Sequence, residues 1–392
     1  MKVLTKVGLA ALFFIACHLT LTAVVYAGAG NVGAEFLAIG IGARAESMGG
    51  AFTGLADDVS AGYWNPGGLA QLEGMQVLTM YNSWFEGMTH VYLGLGKKLD
   101  SGSVIGGEVN YMTSGDISGA DTTGNAASSF SGNWMAVGLS YSGYVGENVG
   151  VGVNLKNVTE SISGESGTGM GADLGLIYKY GEKGDVGLSV LNLGSGIQYA
   201  GDTEASPFPQ IVRAGISYNA LEGENSLVLC FDVANYSMDT SMGIGAGGEY
   251  RTAGGLALRA GAEQVDGVMT PTFGIGIGGN GNFIVDIGAG MYSSLGSAYK
   301  VSLLGKFGGT GEGAKVKSSS SKSSVVKESK AGGALDSQYK EAMAAGDYDK
   351  AMVLKKKIEA QKLDNEYKGA MAAGDYDKAI ELKKKMQELE SK

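Results

Sequence analysis

Few residues in this chain have the type and spacing to do bond-making chemistry. Histidine occurs at His18 and His90, and cysteine at Cys17 and Cys230. His18 and Cys17 fall inside an apolar leader, so a mature chain keeps one of each. That excludes an intramolecular disulfide and any thiol–imidazole metal cluster. A hydroxyl nucleophile generally needs an imidazole partner, and no nucleophile motif stands beside His90. The Asp- and Gly-rich loops lack EF-hand spacing. Gly42–Gly50 lacks the strand–GxGxxG–helix context of a phosphate cradle. No catalytic residue, metal or cofactor is expected. The remaining charges have another regularity. Glu108, Lys156, Lys179, Arg213, Asp232, Glu249, Arg259, Glu263 and Asp286 each interrupt a segment of alternating polarity, always on the phase opposite its apolar residues.

That alternation defines the elements that must carry them. Val149, Val151, Val153 and Leu155 interleave with Gly150, Gly152, Asn154 and Lys156, and Phe273, Ile275 and Ile277 with Gly274, Gly276 and Gly278. A period of two belongs to strands, because successive side chains point to opposite faces. About fourteen such segments are expected between residues 75 and 307, centred on residues 79, 93, 107, 138, 153, 175, 189, 214, 229, 246, 259, 275, 286 and 302. Each approaches the length of a tilted bilayer crossing. Asp100-Ser-Gly102, Gly146-Glu-Asn148 and Gly279-Asn-Gly-Asn282 are turn signals, while Thr113–Ser131, Glu160–Gly169 and Ser195–Pro209 read as longer polar links. The final segment, with Tyr299, Val301, Leu303, Gly305 and Phe307 on one phase, ends on an aromatic residue like the closing strand of an outer-membrane barrel.

The chain has 67 glycines and 4 prolines, which suits neither collagen nor a proline-rich linker. In a closed sheet, strand glycines permit close backbone approach without leaving a frayed edge. Residues 1–27 read as a secretory leader: Lys2 and Lys6, then the apolar run Val7–Ala16, then Val25-Tyr26-Ala27. The net charge of −10 and the four scattered arginines (Arg44, Arg213, Arg251, Arg259) give no support to nucleic-acid binding. The fold class is therefore all-β: a transmembrane antiparallel barrel at 75–307, apolar outside and polar within. Glu108, Lys156, Arg213, Asp232, Glu249, Arg259 and Asp286 face its lumen, as do His90 and Cys230.

Residues 28–74 do not alternate. They hold Gly42-Ala-Arg44, Met48-Gly-Gly-Ala-Phe52, Asp57-Asp58 and Trp64-Asn-Pro-Gly-Gly-Leu69. This run resembles the N-terminal signature of the PorV/PorQ family, a branch of the FadL-like outer-membrane barrels, with Gly67 where that family usually has alanine. The resemblance implies that 28–74 is a hatch folded inside the barrel; Arg44, Met48, Gly49, Gly50, Asp57, Asp58, Trp64, Asn65 and Pro66 are the hatch or gating candidates, and a plug that never moves is the alternative. From register alone, Arg44 is expected to meet Asp232, Glu249 or Asp286.

Residues 308–333 read as a flexible Gly/Ser/Lys linker. Within 334–392, Ala342-Met-Ala-Ala-Gly-Asp-Tyr-Asp-Lys-Ala351 recurs 28 residues later as Ala370–Ala379, which suggests two small helical hairpins. Barrel ends normally face the periplasm, so this tail is expected there. Two functions follow from the resemblance. The first is an outer-membrane channel for small hydrophobic molecules, gated by the hatch, with Phe52, Trp64, Trp84, Phe85, Phe130 and Trp134 as candidate ligand contacts. The second is a PorV-like component that binds secretion-system or periplasmic proteins, with the tail as a docking element. In both, the immediate partner is outer-membrane lipid.

Overall fold

The computed structural model describes residues 32–308, except 121, 122, 124, 238–240, 280 and 294, and in the tail 352–355, 359, 363, 367 and 381–385. The expected leader, nearly all of the expected linker and most of the repeat lie outside the described residues. Two compact units divide the chain at Ser318/Ser319. In the second, residues 352–355 and 381–385 are helical, and Leu382 is buried against Leu363 and Tyr367.

Fourteen antiparallel strands close the first unit into a barrel. They are β1 (Met75–Ser83), β2 (Thr89–Lys98), β3 (Val104–Thr113), β4 (Gly132–Val145), β5 (Val149–Ile162), β6 (Glu165–Tyr180) and β7 (Gly184–Gly194). The ring continues with β8 (Ile211–Leu221), β9 (Ser226–Tyr236), β10 (Ser241–Arg251), β11 (Ala257–Val265), β12 (Val268–Ile277), β13 (Phe283–Tyr292) and β14 (Gly296–Phe307). Each strand pairs with its sequence neighbours, and β14 returns to β1 with Phe307 opposite Met75 and Tyr299 opposite Ser83. Every expected strand centre falls inside its own strand. Closure leaves no unpaired edge, the condition for a sheet to stand in lipid.

The two faces of the sheet divide as the alternation requires. Leu139, Leu155, Ile216, Ile244, Ile287 and Val301 point outward and are exposed, Leu139 at 72%. Near the rim where β1 begins and β14 ends, Tyr141, Tyr180, Tyr218, Tyr250, Phe283 and Phe307 form an exposed aromatic band, with Phe283 and Phe307 edge to face at 5.7 Å. An apolar belt bordered by aromatic rings is the surface of a barrel that spans a membrane. No described helix is long and apolar enough to cross one.

The rim holding Met75 and Phe307 will be called the near rim and the opposite one the far rim. Connections at the near rim are short turns such as 146–148 and 181–183. The far rim carries the long 114–131 connection, with its own two-stranded hairpin (Ile117–Ala120 with Ala126–Phe130), and the 195–210 connection. The segment 160–169, expected to be a loop, is instead the top of β5 and β6. Ser163 and Gly164, at φ 53° and 92°, make a two-residue hairpin turn, and the strands pair up to Ile162 and Glu165. Ser163, Glu165, Ser166 and Thr168 are exposed there, while the inward Glu160, Gly167 and Gly169 are buried against Ala34 and the 195–210 connection; neither face carries a run of apolar residues, so the alternation disappears.

The hydrophobic core lies inside the ring. Residues 32–74 thread the lumen through short helical turns at Glu35–Ala38, Ala43–Glu46, Ala61–Trp64 and Pro66–Gln71. Ile41, Met48, Phe52, Trp64, Leu69 and Leu72 are at most 1% exposed, packed with the inward-facing Leu78, Met80, Tyr92, Val228, Cys230 and Leu304. Many wall glycines explain themselves here. A methyl on Gly152 would overlap the Pro66 carbonyl, on Gly187 the Thr53 carbonyl, on Gly245 the Gly49 carbonyl and on Gly247 the Met48 carbonyl. Main chain lies directly on main chain, and only residues without Cβ permit that approach.

Candidate functional site

The inserted segment is pinned to the wall by polar clasps, each using a group the sequence placed on the inward phase. Asp232 Oδ2 accepts the Phe52 and Thr53 amides at 3.1 and 2.8 Å. Ser302 Oγ accepts the Ala43 amide at 2.9 Å, and Thr272 Oγ1 that of Gly49 at 3.0 Å. Lys300 Nζ donates to the Gly40 carbonyl at 3.0 Å and to Glu46 at 2.5 Å. Asn65 is a local organiser. Its Oδ1 caps the Pro66–Gln71 turn by accepting the Gly67 amide, and Pro66 fits the first helical position, where no amide proton is needed. The Asn65 amide nitrogen donates to the carbonyls of Thr53 and of Leu176 in β6, tying segment to barrel.

Arg44 is the most heavily engaged of these groups. Its guanidinium meets Asp57 at 2.5 Å, Asp58 at 3.0 Å and Glu249 of β10 at 3.1 Å, and lies 5.4 Å from the Phe52 ring centre. Burial alone would lower its pKa, but Asp57, Glu249 and Asp58 more than reverse this and hold it well above the ordinary value. Glu249 also binds Arg251 at 3.0 Å and Arg259 at 2.6 Å, and Arg259 reaches Asp286 at 2.7 Å. Of the three wall carboxylates expected near Arg44, therefore, Glu249 is its direct partner; Asp232 holds amides and Asp286 holds Arg259. Asp58 also accepts the Ser60 amide at 2.9 Å in an Asx turn, while Asp57 keeps 40% of its side chain in solvent. This cluster lies toward the near rim.

The other inward charges form separate groups. Glu108 accepts from Tyr92 and Asn154, and Lys156 binds Asp173 at 2.8 Å and Asn192 at 2.5 Å. Lys179 lies over Tyr144 at 5.3 Å. His90 is fully buried, with Nε2 2.5 Å from Asn110 Oδ1. Cys230 is buried and free, and no group of metal-ligating side chains occurs among the described residues.

Toward the far rim, above the inserted segment, a cavity of about 570 Å³ is open. All three tryptophans of the chain, Trp64, Trp84 and Trp134, line it, joined by Phe36, Ile39, Met88, Met112, Tyr236 and Tyr292. Its size and lining suit a small apolar ligand. Arg213 stacks on Trp64 at 4.6 Å and lies 5.7 Å from the Tyr236 ring, a desolvated cation held by π faces. Glu35, Glu46, Glu160 and Glu263 are the acidic part of the lining. Of the aromatics expected to touch a ligand, the three tryptophans line the cavity. Phe52 lies beneath, edge to Trp64 at 6.3 Å; Phe85 packs on Tyr292 at the rim; Phe130 sits exposed on the hairpin. Sequence reasoning missed Met112, Tyr236 and Tyr292, all on the inward phase near strand ends, where phase and position together were the available signal.

Solved structures with this architecture include the monoaromatic hydrocarbon channel CymD, at 15% identity and TM-score 0.52, covering 68% of this chain and 98% of that one. The TodX monoaromatic hydrocarbon channel, as a ΔS2S3 mutant, matches at 12% identity and TM-score 0.50 over 68% of this chain and 97% of that one. The likeness establishes a shared FadL-like fold. No curated protein sequence matches the chain. A family model matches residues 18–263, spanning the inserted segment and the strands through most of β11, and it carries no PorV/PorQ designation. The chain belongs to DUF5723, a family of unknown function.

Proposed function

We propose that this protein is an outer-membrane channel admitting small hydrophobic molecules, with the far-rim cavity as its first binding place and residues 28–74 as the hatch beneath it. One observation carries the reading: an aromatic-lined cavity of about 570 Å³ stands at one end of a lipid-facing barrel, and its floor is the inserted segment. A ligand partitions among Trp64, Trp84 and Trp134 by losing apolar contact with water. Trp64 is shared between cavity and hatch core, so ligand contact is felt by Phe52 and, through it, by the Arg44 cluster. The channels with this fold named above carry monoaromatic hydrocarbons by their titles, which supports an apolar cargo of similar size here. In this reading the near rim, with its short turns and both barrel ends, faces the periplasm, and the 334–392 tail is periplasmic.

The test uses the native tryptophans, since all three line the cavity. Titrating purified protein with N-phenylnaphthylamine should quench their emission with saturation. Cells whose lipopolysaccharide-bearing outer membrane excludes this probe should take it up faster when they make the protein, and faster still when residues 28–74 are deleted. Saturable quenching without any gain in uptake would refute transport.

A further inference from the structure

The 195–210 connection does not project from the far rim; it folds back into the barrel mouth. Ile197 is fully buried and Phe208 is 2% exposed. Ile197 and Ser206 exchange backbone hydrogen bonds at 2.7 and 2.8 Å, and Gln198 and Tyr199 pair with Thr168 and Gly167 of β6. Ile197 and Phe208 share an apolar cluster with Ala34, Phe36 and Leu37, the leading arm of the inserted segment. The Gly33 amide donates to the Pro207 carbonyl at 2.9 Å. The arm also forms one side of the cavity, through Ala34, Phe36, Ala38 and Ile39.

Glu160, on β5, joins the two pieces. One carboxylate oxygen accepts the Ala34 amide at 2.8 Å and the other accepts the Tyr199 hydroxyl at 2.7 Å. The residue is 8% exposed, and no described cation pairs with it. A buried carboxylate without a counter-ion depends on its donors, and losing either leaves a desolvated charge undersatisfied. The two donors are therefore energetically coupled. Ala34 lies outside the strand ladders, and Tyr199 joins them only through the two-residue pairing of Gln198 and Tyr199 with β6.

We propose that arm 32–38 and connection 195–210 form a single movable side wall of the cavity, with Glu160 as the positioning residue that clasps both to the barrel. This rests on the channel reading above and adds to it the part that moves first. A ligand displacing the arm must carry the connection with it, and the Arg44 cluster toward the opposite rim is released afterwards.

Two readouts test the clasp. Glu160→Gln keeps the shape but turns an N–H toward one of the two donors. Amide exchange at Leu37, Ile197 and Ser206 should then rise together by at least about tenfold, while the Phe52 and Thr53 amides on Asp232 keep their protection. A rise in the arm alone, or in the connection alone, overturns the coupling, whether or not the protein transports anything. The second readout uses disulfides in a Cys230→Ser background. A Cβ on Gly33 would lie 3.2 Å from Ser206 Cβ, so Gly33→Cys/Ser206→Cys should cross-link after a small relaxation. This link stays within the proposed unit and should leave N-phenylnaphthylamine uptake within about twofold. Thr168→Cys/Gln198→Cys links the connection to the wall at a directly paired position, and should lower uptake at least about tenfold until a reductant is added. Equal inhibition by both links, or by neither, overturns the unit. Absence of uptake in every form, the parent included, defeats the channel reading instead, and the exchange result then decides the clasp.

Discussion

Replacing Arg44 by methionine keeps much of the buried stem and removes the charge that joins the inserted segment to β10. Removing one partner of a buried ion pair costs about 3–5 kcal/mol, because the other charge is left uncompensated. Two features reduce that here. Glu249 retains Arg251 and Arg259, and Asp57 is 40% exposed at its side chain, so water takes over part of its solvation. Asp58, at 6% side-chain exposure, keeps only the Ser60 amide and hydroxyl. The expected loss of seating is about 2–3 kcal/mol, a rise of roughly 30- to 150-fold in the population with residues 44–60 detached. Amide exchange of this segment in lipid nanodiscs reads that population directly, provided opening is fast and reversible. Unchanged exchange across 44–60 in Arg44→Met, within about threefold, would show that main-chain contacts alone hold the segment and that the charge cluster is incidental.

Other expectations follow from the same geometry. Gly247→Ala forces the Met48 carbonyl off the wall and should destabilise the folded barrel by about 1–3 kcal/mol, read as a lower urea midpoint for refolding into vesicles. Leu139→Arg places a charge at the middle of β4 on the outward face and should cost about 2–4 kcal/mol in the same titration, whereas a water-facing position would tolerate it. Trp134→Ala removes one ring from the cavity and should weaken N-phenylnaphthylamine binding about tenfold, measured by quenching of Trp64 and Trp84, without shifting the urea midpoint by more than the surface-mutation range.

The barrel was legible because each strand obeys one rule over most of its length: an outward residue meets lipid and must be apolar, and an inward one need not be. Charges such as Glu249, Asp232 and Arg259 betray their facing by phase alone, and their burial at 4% each follows from the segment that fills the lumen. The rule fails where lipid ends, which is why Glu160–Gly169 read as a loop although β5 and β6 continue through it to their hairpin turn. Partners inside the lumen are another matter. Register gave three carboxylates for Arg44 and could not choose among them, because the path of residues 41–58 is set by contacts distant in sequence. The cavity was still less visible. Its tryptophans come from the inserted segment, the β1–β2 connection and β4, and its side wall needs a connection that turns inward rather than out. Polar composition at Ser195–Pro209 predicts solvent exposure; Ile197, Tyr199 and Phe208, the three large apolar or aromatic residues in that run, were the available signal of a buried anchor.

The glycine-lined parts of the lumen have a mechanical consequence. At Gly152, Gly187, Gly245 and Gly247 the wall presents a bare ribbon to the bare ribbon of its occupant, with no knobs seated in holes. At these four places no wall side chain grips the segment, so its hold on the bore is concentrated elsewhere: in the polar catches and in the apolar side chains wedged between them.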